Sequence, residues 1–388
     1  MQINRKLNLY EIEDLYHSLG SDHNLRLPIS MSYGGGLGVD ASLAQFIISW
    51  ARKSDRSVLH LYAGADEATE QITRMAKTIA GFSALIMCSE VHTQDHEQID
   101  RRQALLAIRS LVEAMFEGDI RNTAGTKGAR PTAINLFCIN NAQREFIKPF
   151  YFGQPDPKAT LQPKSEFSTL IERSSALMNS KHDRGALLRA GLPALGSVLW
   201  ELISNADQHA VTDVGGHKYK RALRGASIKF NRLNRQDALG YSDKEPELAR
   251  FLLKHFLKQT DVLGFLEISV IDSGPGLARR WLTAKEERPL ESLDSLSLDD
   301  ELAATLECFK KHITSKAEAP TSGMGLHNAV QALNKLQAYV RLRTGRLSLH
   351  QAFQGSDHVM DFNPSVWRGE RELAAAEGTV FTICIPVI

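Results

Sequence analysis

The sequence predicts an α/β protein, with helices packed on a small parallel or mixed sheet in its N-terminal part and a larger unit of helices and strands behind it. Three observations carry this. Strand-like and helix-like text alternates over residues 25–90, a long helical period over 184–209 precedes apolar strand-like runs, and a polar Gly/Pro stretch separates the two halves. At 388 residues the chain has room for about two domains.

The elements follow in order. Leu25–Met31 is a short apolar run that ends at the glycine-rich turn Gly34–Gly38. Asp40 caps an expected helix over Ser42–Arg52, where Leu43, Phe46, Ile47 and Trp50 recur at helical spacing. Ser57–Tyr62 reads as a buried strand, Glu67–Ala80 as a helix and Ala84–Met87 as the next strand, which makes a βαβαβ rhythm. Leu105–Phe116 reads as a further helix and Ala133–Ile139 as a further strand. Between Tyr151 and Phe167, Gly153, Pro155, Pro157 and Pro163 sit among polar residues, a linker composition. The expected division is therefore a small α/β unit over 1–150, a linker and helix over 151–180, and a second domain over 181–388.

Composition excludes several function classes. Apolar residues make up 43% and charged residues 23%, so there is material for a core; 46 Lys plus Arg against 45 Asp plus Glu leaves no global field for nucleic acid or anionic membrane. Cys88, Cys138, Cys308 and Cys384 share no close spacing, which rules out a zinc ribbon or CxxC site and suits reduced thiols in a cytoplasm. No run of about 18 uninterrupted apolar residues marks a membrane span or signal peptide. Gly34–Gly38 lacks the GK[ST] of a P-loop. His92 and His96 stand four apart and could share a metal on a helix, but with no third ligand evident they read as a polar loop.

Four segments after residue 190 carry chemistry. In Leu199–Ala210, Glu201, Asn205 and Gln208 share one helix face, and a carboxylate and an amide one turn apart can bind Mg²⁺ and position a water at a phosphate. Taken singly, such a pair reads as a solvated face. Leu266–Asp272 alternates as a strand and breaks at the DxGxG turn Asp272-Ser273-Gly274-Pro275-Gly276. There the glycines admit a flat ligand and Asp272 can accept from an exocyclic amine; a plain β-turn is the alternative. In the third segment, Gly323-Met324-Gly325-Leu326 opens a helix whose N–H groups make an anion site. Lys316 supplies a mobile charge against a phosphate or stands as a solvated loop lysine. The fourth, Gly378–Pro386, is a closing strand with Thr379 near its start, a position that packing alone would also explain.

Taken in order, these four segments resemble the four-box layout of the gyrase, heat-shock chaperone, histidine kinase and MutL (GHKL) ATPases, over about half the chain. The resemblance implies a Bergerat-type α/β sandwich with a mixed sheet that binds ATP and Mg²⁺. Glu201 would then be the general base or water-orienting residue, and Asn205 would bind Mg²⁺. Asp272 would read the adenine amine, Gly274 and Gly276 would shape the adenine pocket, and Thr379 would support the water network there. Gly323, Met324, Gly325 and Leu326 would belong to a lid over the phosphates, with Lys316 beside it. Two departures stand out: Gln208 occupies a place where kinases of the family often carry Lys or Arg, and the long span 211–264 implies an insertion. His182-Asp183 is too close to Asn205 for a phosphoacceptor hairpin, and after Thr379 only a few residues remain to Ile388, too few for a gyrase-type transducer domain. The rhythm of residues 1–150 resembles STAS-type modules found beside anti-sigma kinases. The expected function is an ATP-dependent conformational switch in a bacterial signalling or antiviral defence system, acting on a protein partner or a second subunit. The alternative is a protein kinase phosphorylating a partner in trans.

Overall fold

The computed structural model describes residues 1–28, 37–127, 130–152, 160–178, 191–243, 245–256, 262–311, 325–355, 360–367 and 372–387. Asn8 opens helix α1 (Leu9–Leu15) with a capping box, accepting from the Tyr10 and Glu11 N–H groups while Glu11 returns to its own N–H. Strand β1 (Asn24–Arg26), helix α2 (Val39–Lys53) and strand β2 (Val58–His60) follow, then helices α3 (Ala68–Met75) and α4 (Ile79–Met87). Strands β3 (Glu90–His92) and β4 (Gln98–Ile99) complete a small sheet in the order β1-β2-β3-β4, its first three strands parallel. Helices α5 (Arg101–Ala107) and α6 (Arg109–Glu117) lead to strands β5 (Ala124–Lys127) and β6 (Arg130–Ile139).

The short pair β7 (Tyr151–Phe152) and β8 (Thr160–Leu161) precedes helices α7 (Lys164–Met178) and α8 (Leu192–His209). Strand β9 (Leu223–Asn234), helices α9 (Arg235–Leu239) and α10 (Pro246–Lys254), and strand β10 (Val262–Asp272) come next. Helices α11 (Leu277–Lys285), α12 (Leu298–Glu307) and α13 (Gly325–Lys335) are followed by β11 (Tyr339–Gly345), β12 (Leu347–Ala352), β13 (Ser365–Val366) and β14 (Ala376–Val387).

The chain is α/β, as read from sequence. Its large sheet has eight strands in the order β13-β12-β11-β14-β10-β9-β6-β5, and every described pairing in it is antiparallel. Mixed pairing belongs to the smaller sheet. Helices α7, α8 and α13 pack together, and α8 lies against β9 and β10; α2 packs on β14 and β10 and against α4. Strand alternation fixes which side chain meets which layer. On β10, Glu267 reaches the Gly38 N–H at the start of α2, whereas Arg224, the partner of Asp272 across β9, reaches Asp207 of α8. The sheet is thus the middle of three layers.

Several elements differ from the sequence reading. Ala84–Met87 is the end of α4, not a strand: Thr78 caps the helix by accepting from the Gly81 N–H, and all nine residues are buried. The single helix expected over Glu67–Ala80 ends at Met75, and that expected over Leu105–Phe116 breaks at Ile108. Asp40 is not a cap; it lies in the first turn of α2, buried and ion-paired with Lys229 of β9. Strand β6, grouped by sequence with residues 1–150, pairs with β9, with Ile134 opposite Ile228 and Leu136 opposite Ala226. The span 211–264, expected as an insertion, contains β9, an interior strand of the large sheet; α9 and α10 lie between β9 and β10 and pack with Leu37, Phe265 and Tyr339. Gly34–Gly36 lie outside the described residues.

Candidate functional site

Asp272 ends β10 with its carboxyl turned to the α8 side of the sheet, where it is buried at 7% exposure. Its Oδ1 accepts the N–H of Gly274 at 2.8 Å and of Thr379 at 3.2 Å, and Thr379 is its register partner on β14. Both of these bonds fall on one oxygen, so the other takes neither. Burial pushes the Asp272 carboxyl up to about 6; the two N–H groups, Arg52 and the Thr379 hydroxyl pull the other way and only partly offset it. An acceptor held this way at a sheet end is suited to an amine donor.

The turn after Asp272 needs both its glycines. A Cβ on Gly274 would meet Ala210, at the end of α8, at 2.7 Å, and Gly276 has φ +87°, the left-handed region. Gly274 is therefore required where the turn closes on α8. Thr344 Oγ1 accepts the Leu277 N–H at 3.0 Å and anchors the start of α11.

On α8, Glu201 is buried at 4% exposure, and Lys164 Nζ of α7 lies 2.5 Å from its Oε1. Asn328 of α13 donates to the same oxygen at 3.4 Å, and a Cβ on Gly325 would stand 3.1 Å from Oε2. The carboxylate thus sits against the first turn of α13, where helix N–H groups gather. Leu326 is buried in the core beneath that turn. Asn205, one turn further along α8, is half-buried; Gln208 is exposed and donates to Ser204 Oγ at 3.1 Å. Lys316, Gly323 and Met324 lie outside the described residues, as does His182.

The structure therefore joins Asp272, Gly274 and Thr379 at one place and Glu201 with Gly325 at another, both on the α8 side of the sheet. It also supplies groups that sequence reading missed. Lys164 is one, in a segment read only as linker and helix. Arg224 is another: it is 2% exposed and bonds Asn140, Glu145, Tyr151 and Asp207, which pins the C-terminal end of α8 to the sheet. No periodicity marks an arginine for such a place; only the pairing of β9 beside β10 does.

His60, His92 and His96 cluster, with ring centroids 5.4 Å apart for His60 and each neighbour, but among the described residues no group of three is arranged to hold a metal. A cleft of about 400 Å³ opens beside the DxGxG turn, lined by Tyr219, Pro275, Arg279, Glu301, Arg346 and Glu377 among others; none of Glu201, Asn205, Asp272 or Thr379 lines it. Its Glu301 and Arg346 are paired with each other, and Arg279 with Asp294. Among the described residues no helix is long and apolar enough to cross a membrane. The chain matches no protein-family model and no curated protein.

Proposed function

We propose that residues 191–388 bind Mg-ATP in the manner of the GHKL ATPases and that the protein is an ATP-dependent conformational switch. The observation that carries this reading is Asp272: a buried carboxylate at a strand end, held on one oxygen by the Gly274 and Thr379 N–H groups, in register with the threonine of the fourth segment. The described parts of the four segments lie on the α8 side of the sheet, and burying a carboxylate there without a ligand to read is costly.

Asp272 accepts from the adenine amine through its second oxygen, and Thr379 flanks it. Asn205 would hold the Mg²⁺ that accompanies the nucleotide phosphates. Bound ATP supplies a γ-phosphoryl group that can pass to water. Glu201, fixed by Lys164 and Asn328 beside the start of α13, orients that water. The resemblance would add Lys316, Gly323 and Met324, which lie outside the described residues, as phosphate contacts. Contacts to a γ-phosphate exist in one nucleotide state only, which makes the site a switch that slow hydrolysis resets.

The test is calorimetric titration of the purified protein with ATP in Mg²⁺, followed by incubation with γ-labelled ATP and candidate partner proteins. Saturable binding and release of free phosphate support the reading. Absence of nucleotide binding refutes it, and label appearing on a partner protein in place of free phosphate would assign the chain to the kinases.

A further inference from the structure

Helix α2 belongs to the N-terminal segment, on the sheet face opposite α8, yet its polar residues are spent on the backbone beside Asp272. Twelve of its fifteen residues are buried, including Gln45 and Ser49, each fully so. Buried polar groups must find partners, and those partners identify what the helix holds. Gln45 Nε2 donates to the carbonyls of Arg343 at 3.1 Å and Gly378 at 3.2 Å. Ser49 Oγ accepts the Glu377 N–H at 2.8 Å. Arg52 pairs with Glu377 at 3.1 Å, donates to the Gly274 carbonyl at 3.5 Å and lies 3.5 Å over the Tyr219 ring. Lys53 donates to the Ala375 carbonyl at 3.0 Å.

Positions 45, 49, 52 and 53 lie along one stripe of the helix. Their targets are the approach to Thr379 and the turn after Asp272. Those two stretches also touch each other: the Gly378 N–H donates to the Gly274 carbonyl at 2.7 Å, the same oxygen that Arg52 reaches. Gly378 has φ +76°, and a Cβ there would stand 2.0 Å from the Asp272 carbonyl oxygen. The spacing between Asp272 and Thr379 is thus set by a backbone path with no slack, and α2 secures that path from the opposite side of the sheet.

We propose that α2, through Gln45, Ser49 and Arg52, is the positioning element of the Asp272–Thr379 pocket, so that docking of the N-terminal segment and nucleotide affinity are linked. This rests on the reading of that pocket as the adenine site. Linkage is reciprocal: a change that loosens α2 weakens the nucleotide, and the nucleotide tightens α2. A partner or signal acting on the N-terminal segment then reaches the ATP site through these bonds without touching ATP.

The experiment uses the full chain with ATP and Mg²⁺ as probe. Ser49→Ala leaves the Glu377 N–H without its acceptor, Arg52→Met keeps the side-chain length but removes the donor, and Arg52→Lys restores a cation. The first two should weaken ATP binding about tenfold, equivalent to about 1.4 kcal/mol, and Arg52→Lys should stay within about threefold of the parent. Saturating ATP should slow amide exchange along α2 while leaving α5 and α6 as unchanged references. Arg52 lies at the rim of the core, so its variants carry the test even where Ser49→Ala does not fold. If Asp272→Asn abolishes ATP binding while folded Arg52→Met binds like the parent and α2 exchange ignores ATP, the link is overturned and the nucleotide reading survives. If Asp272→Asn binds ATP normally, the adenine assignment falls and the link with it.

Discussion

Asp272→Asn separates a carboxylate kept for a ligand from one kept for the fold. Burial raises the Asp272 carboxyl from its ordinary 3.8 to about 6. Below pH 3.8 the acid is protonated in the folded and unfolded chain alike and costs nothing. As pH climbs toward 6 the unfolded chain ionises freely while the folded one resists, and above 6 the folded state carries the full cost. At about 1.36 kcal/mol for each power of ten in acidity, that cost is about 3 kcal/mol. Asparagine keeps an oxygen for the Gly274 and Thr379 N–H groups and carries no charge. The variant should therefore be more stable than the parent at pH 8 by about 1–3 kcal/mol, with the advantage shrinking to near zero at pH 4. Its amide nitrogen then occupies the place of the second carboxylate oxygen, donor facing donor toward an adenine amine, and ATP affinity should fall about 100-fold. Denaturant midpoints at pH 4, 6 and 8, with calorimetric ATP titrations, measure both. A variant less stable than the parent at pH 8 would make Asp272 a structural cap of the turn and refute the reasoning.

Three further outcomes are expected. Glu201→Ala should bind ATP within about threefold of the parent and lose phosphate release, read by a coupled phosphate assay; unchanged turnover would remove Glu201 from the chemistry. Gly378→Ala places a methyl against the Asp272 carbonyl at a left-handed φ and should cost about 2–4 kcal/mol in thermal or denaturant unfolding. Arg224→Met strands Glu145 and Asp207, which keep side-chain exposures of 15% and 25%, and should cost about 2–3 kcal/mol, less than a fully buried pair would. A loss under 1 kcal/mol would show that α8 is held to the sheet by packing alone.

Much of the helix-and-strand text around the site was legible locally. The helical period over 192–209, the strand up to Asp272 and the glycine break after it are local patterns and formed as read; residues 184–190 of the expected helix lie outside the described residues. Local text failed where two structures share one pattern. Ala84–Met87 is apolar throughout, which suits a buried strand or a buried helix; the Thr78 cap decides for the helix. It also failed where the partner is remote. Asp40 resembles a cap in sequence, but Lys229 reaches it only because β9 pairs with β10 and presents Lys229 on the face that α2 covers.

The sequence by itself determined the class of the fold and the type of most elements, and it singled out the residues that the proposed ATP site would use. These follow from side-chain period, glycine conformation and donor or acceptor chemistry, all local properties. The tertiary structure alone decided that β6 enters the large sheet, that Lys164 meets Glu201, and that α2 secures the backbone beside Asp272. Those contacts are selected by which buried polar groups can satisfy one another across the whole chain, and no local pattern encodes that choice.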